Sequence, residues 1–139
     1  MRTVLLGLML LLGSVQDLKT KTIRAELLLV PGLLAVTLDL AEKGIPAIPD
    51  ILSGLIPGAF LLLLSLASRE AIGRGDALTV SLLGAVLGLT ETLGILMLAL
   101  MGSAFFCCLL LLMHRAAKHT ALPFIPFLTG AYLITILFL

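Results

Sequence analysis

Asp17 and Asp76 are the residues in this chain best suited to chemistry. Asp17 ends an apolar run from Thr3 to Gln16, and Asp76 immediately precedes another from Ala77 to Leu89. A carboxylate drawn toward hydrocarbon is costly to ionise, so such residues are functional candidates by default. Two carboxyls that meet in a poorly solvated site cannot both ionise easily. One pKa rises, and the pair tends to share a proton. That is what metal-independent peptide hydrolysis needs: an ionised partner to take a proton from water and a protonated one to polarise the scissile carbonyl. Taken alone, the same residues also read as two loop-edge helix caps, with Asp76 the N-cap of its helix.

The elements that must position them follow from composition. The chain has 139 residues, 60% hydrophobic and 12% charged, with a mean hydropathy of +1.24. A soluble domain is roughly 45–50% apolar and about 25% charged, and one this small leaves much of its surface exposed. These figures exclude a disordered chain, a nucleic-acid binder and an ordinary soluble domain. They predict an all-α, polytopic membrane helical bundle forming a single domain over 1–139. Polar breaks divide the chain into about six spans: Thr3 to Gln16, Ala25 to Leu40, Ile48 to Ala67, Ala77 to Leu89, Thr92 to Met113 and Leu122 to Leu139. The first and fourth are short against the roughly 20 residues a full span needs. Glu42-Lys43-Gly44-Ile45-Pro46 reads as a turn and Thr90-Glu91-Thr92 as a polar link, while Gly73 and Gly75 permit a non-helical loop before the fourth span.

Six spans segregate the basic residues. One side receives Lys19, Lys21, Arg24, Arg69, Arg74, Arg115 and Lys118, and the other only Arg2 and Lys43. The basic side is therefore expected to be cytoplasmic, with both termini on the non-cytoplasmic side. Both aspartates then lie at the cytoplasmic edge. A signal peptide is the rival reading of the first segment (Arg2, Leu5 to Leu12, Gly13 to Val15), but no soluble domain follows, and cleavage would remove a helix that the charge pattern needs. The remaining acids have a bland reading: interfacial solvation for Asp39, Glu42, Asp50 and Glu91, and basic neighbours for Glu26 and Glu70.

The local sequence adds a family resemblance. Gly73-Arg74-Gly75-Asp76, followed by the glycine-containing apolar stretch Leu82 to Gly88, resembles the GxGD signature of the type IV prepilin peptidases, which are membrane aspartyl proteases. Asp17-Leu18-Lys19-Thr20-Lys21-Thr22-Ile23 resembles that family's first catalytic block. Leu122-Pro123-Phe124-Ile125-Pro126-Phe127 resembles its proline- and phenylalanine-rich approach to the last helix. The resemblance implies an aspartic endopeptidase that removes leader peptides from prepilin-like precursors at the cytoplasmic face of a bacterial or archaeal inner membrane. Asp17 and Asp76 are its implied catalytic pair, Gly73 and Gly75 shape the loop, and no cofactor or metal is required. Lys19, Lys21, Arg24 and Arg74 would line the mouth, although positive-inside anchoring accounts for them too. The implied partners are the precursor and the lipid bilayer, not nucleic acid. Arg24 and Ala25 stand where the family usually has proline and asparagine, and Leu78 where it usually has lysine. No CxxC pair is present, so the resemblance is to a short, peptidase-only form. A small ion- or proton-coupled transport subunit and an inactive relative are the alternatives.

Other constellations carry less. Arg74-Gly75-Asp76 spells an adhesion tripeptide, but on a cytoplasmic loop. His114 and His119 are too few for a metal site, and Cys107 and Cys108 read as small apolar fillers. Met97, Met101 and Met113 are expected to be packing residues. Gly84 and Gly88 form a small-xxx-small pattern suited to close helix approach.

Overall fold

The structure, a computed structural model, describes residues 2–20, 25–67, 73–113 and 123–138. Among them every regular element is a helix: α1 (Arg2–Thr20), α2 (Ala25–Lys43), α3 (Ala47–Ala67), α4 (Arg74–Leu87), α5 (Leu89–Leu112) and α6 (Ile125–Phe138). Leucine- and alanine-rich runs form helices readily, and each break between described helices has a local cause. α2 ends at Gly44, whose φ of 69° is left-handed and whose amide bonds the Leu40 carbonyl at 2.8 Å, as a helix-ending glycine does. α4 and α5 are parted by Gly88 alone, at φ 85°. The link expected at Thr90-Glu91-Thr92 is therefore displaced: those residues form the first turn of α5, because a single glycine able to adopt positive φ suffices to turn the chain.

By length and apolar composition, α3 and α5 are the described helices able to cross a membrane. α1 is longer than the first apolar run because it continues through Asp17 to Thr20. α4 and α6 have 14 residues each, about 21 Å at 1.5 Å per residue.

α4 is the central helix, packed against α1, α2, α3 and α5, and its run from Leu82 to Val86 is buried. Its closest neighbour is α3. The two backbones meet at Gly54 against Gly84, and again at Gly58 against Ser81, where a Cβ on either α3 glycine would overlap α4. Of the small-residue pair anticipated from the sequence, Gly84 makes an internal helix contact. Gly88 instead ends α4, with open space where its Cβ would be. The outward faces are apolar: Phe60, Phe105 and Leu112 are exposed. Met97, Met101 and Met113, expected to be packing residues, join them at 56–71% exposure. α5 is apolar on all sides, so composition could not say which face turns inward; the buried face runs through Thr92, Ile95 and Ala99.

Candidate active site

α6 is fastened to α1 rung by rung, and this sets the position of Asp17. The Tyr132 hydroxyl donates to the Thr3 carbonyl at 2.8 Å. One turn on, the Thr129 hydroxyl is placed to donate to the Leu10 carbonyl at 3.1 Å and to the Ile125 carbonyl at 2.8 Å. Next, Ile125 and Leu28 close over Gly13, leaving room for no larger residue there without displacing Leu28. The last rung is Asp17, whose carboxylate accepts the Ile125 amide at 3.4 Å. Residues at three- and four-residue spacing on two antiparallel helices produce this ladder. Asp17 is only 8% exposed.

Asp76 lies in the first turn of α4. Its amide, and that of Ala77, bond the carbonyl of Gly73 at 3.1 and 3.3 Å. Gly73, not Asp76, is the N-cap, with no side-chain cap bond. The capping role open to Asp76 is therefore overturned, and its carboxyl is not committed to the helix end. Gly73 has φ −62° and ψ 131°, a conformation any residue adopts. What glycine supplies there is room, since a Cβ would lie 3.2 Å from the Asp76 carboxylate oxygen. Gly75, expected in a loop, is the second residue of α4, and its carbonyl accepts the Thr79 hydroxyl at 2.7 Å.

Both aspartates sit just beyond the apolar stretches of their helices, at one end of the bundle, and they feel each other. Burial and the charge of Asp17 push the Asp76 carboxyl up to about 7. Burial also raises Asp17, against the lowering effect of the Ile125 amide. Near neutral pH this favours one protonated and one ionised carboxyl. Two carboxyls in this state can activate water and polarise a carbonyl without a metal ion. Among the described residues, no group of three or more His, Cys, Asp or Glu could hold one.

Lys19 and Arg74 are exposed at the same end. Lys21 and Arg24 lie outside the described residues, as do Glu70, Arg69, His114, Arg115, Lys118 and His119. Asp39 departs from expectation: it is 1% exposed rather than solvated, because Lys43, one turn on, reaches back to it at 3.2 Å. A cavity of about 610 Å³ opens at the opposite end of the bundle, bordered by Thr3, Glu91, Ile95 and Tyr132, and neither aspartate lines it.

The Ile125 amide was not foreseen as part of the site. Its signal was in the sequence: Pro126 marks the first turn of a helix, whose leading amides have no acceptor within the helix itself.

A model of the type IV leader peptidase family matches residues 4–113. The matched segment contains Asp17 and the Gly73–Asp76 signature, and it ends before α6. No curated protein and no solved structure matches the chain.

Proposed function

Because the chain belongs to the type IV leader peptidase family, for which aspartic peptidase activity is implied, we propose that Asp17 and Asp76 are its catalytic dyad and that it cleaves prepilin-like precursors at the cytoplasmic face of the membrane. The observation that carries this reading is the convergence of the two aspartates, with burial and the charge of Asp17 together holding a proton on Asp76 near neutral pH. A lone helix-end aspartate would gain nothing from such coupling.

In this reading the chain is a multi-pass protein of a bacterial or archaeal inner membrane, with six spans and both termini outside. Lys19 at the end of α1 and Arg74 at the start of α4 lie at the aspartate end, and Lys43 at the far end of α2, in keeping with a cytoplasmic aspartate end. A hydrolytic site must reach water, and the membrane edge supplies it. The precursor approaches with its leader in water and its hydrophobic segment in lipid, and the scissile bond lies where the two meet. Gly73 keeps the space around the Asp76 carboxyl clear. Lys19 and Arg74 anchor the cytoplasmic edge and flank the mouth.

Co-expression with a candidate prepilin, read as leader removal on a gel, tests this. Asp17→Asn and Asp76→Asn proteins should remain in the membrane fraction and leave the precursor uncut. Product from either variant would overturn the dyad.

A further inference from the structure

If Asp17 and Asp76 form the dyad, α6 bears on which of them holds the proton. In the first turn of α6, Phe127 and Leu128 donate their amides to the Phe124 carbonyl at 3.0 and 3.1 Å. Pro126 has none to donate, and the Ile125 amide goes to Asp17 across 108 residues of chain. Asp17 therefore occupies the place of a capping carboxylate on a helix to which it does not belong. The positive end of the α6 dipole favours its ionised form. Asp76 also lies at the positive end of a helix, in the first turn of α4, so what sets the two apart is the Ile125 amide, which Asp17 accepts and which has no counterpart among the influences on Asp76.

We propose that the N-terminus of α6 divides the labour of the dyad, with Ile125 as a positioning residue that holds Asp17 as the standing carboxylate and so leaves the proton on Asp76. This rests on the dyad reading above. Asp17 then takes a proton from water as the water oxygen bonds to the scissile carbonyl carbon, and the carbonyl oxygen takes the proton of Asp76. In the resulting gem-diol, Asp17 returns its proton to the amide nitrogen, the C–N bond breaks, and one hydroxyl gives its proton back to Asp76. Products leave with both carboxyls in their starting states. The two carboxyls respond in the same sense. Burial raises Asp76 and the charge of Asp17 raises it further. Burial raises Asp17 too, but there the Ile125 amide works in the opposite direction. Besides Asp76, the charged residues at the Asp17 end of these elements are Lys19 on its own helix, Arg74 on α4 and Glu26 in the first turn of α2; Arg2 of α1 and Asp39, Glu42 and Lys43 of α2 lie at the opposite ends of their helices. Residues 125–138 of α6 carry no charge, so its contribution is the amide and the dipole alone.

Dicyclohexylcarbodiimide, which modifies protonated carboxyls in apolar surroundings, tests this on the full chain in membranes, with modified peptides mapped by mass spectrometry. Asp76 should label at pH 6 and progressively less as pH rises through about 7, while Asp17 labels several-fold less throughout. Ile125→Pro removes the amide and should raise Asp17 labelling several-fold, whereas Ile125→Ala keeps the amide and should not. The acid limb of kcat/KM, which reports the base, should move to higher pH in Ile125→Pro only. Equal labelling of the two aspartates in the unaltered protein would overturn the proposal, and that measurement stands even if Ile125→Pro fails to fold. Labelling needs no substrate. Absent cleavage therefore faults the peptidase assignment, and even labelling faults the division of labour.

Discussion

The Ile125 amide donates to the Asp17 carboxylate at 3.4 Å, tying the end of α1 to the beginning of α6. The contact joins a segment inside the family match to one beyond it, so the geometry of the first aspartate depends on the last described helix of the bundle. It also means that substitutions along the α1–α6 ladder reach the site without touching a substrate.

The two aspartates should act as a unit. Asp17→Asn and Asp76→Asn are each expected to lower kcat/KM by about 10²–10⁴-fold, and the double variant by no more than the worse single one. Cleavage assays on membranes with matched protein levels check this. Independent, multiplying losses would show that the residues do not share a step.

Gly73→Ala is expected to leave the fold intact and reduce turnover. Its backbone angles suit alanine, so there is no strain to relieve, but the new Cβ would stand 3.2 Å from the Asp76 carboxylate oxygen. A shifted carboxyl misplaces the proton it supplies, which costs about tenfold or more in kcat. Unaltered kcat would show that the carboxyl has room to yield.

Stability should fall as pH rises, through Asp76. Its folded-state pKa of about 7 lies above the ordinary 3.8, so the folded state binds more protons than the unfolded one between those values. The stabilisation is complete below about pH 4 and is lost as pH rises through 7, by at most about 1.4 kcal/mol for each pH unit crossed in that window. Thermal unfolding in detergent at pH 5 and pH 8 should show a gap in Tm that narrows in Asp76→Asn. An unchanged gap would mean that Asp76 titrates normally.

The α3–α4 contact should be the least forgiving in the bundle. Gly54→Ala drives a methyl group into the Gly84 carbonyl and is expected to cost about 1–3 kcal/mol as overpacking, lowering Tm. Gly94→Ala, with open space around it, should leave Tm unchanged or raise it, since alanine favours helix over glycine by about 1 kcal/mol. A matched effect of the two variants would rule out backbone contact between α3 and α4.

Much of this protein was determined by local sequence. Apolar runs and the breaks between them, among them Gly44, the Gly73–Asp76 segment and Gly88, set the six described helices, because helix formation and its termination are decided within a few residues. Asp17 and Asp76 were marked out by their place at the edges of apolar runs. Local sequence could not say that Gly73 rather than Asp76 caps α4, that Asp39 turns inward against Lys43, or that the methionines of α5 face outward. Each depends on which side of a helix finds a neighbour, and an apolar helix such as α5 carries no polar face to announce it. Above all, only the tertiary structure brings the Ile125 amide to Asp17 and the charge of Asp17 to Asp76. Contacts between residues far apart in the chain arise from how helices stack, and that stacking is decided by side-chain fit along the whole bundle.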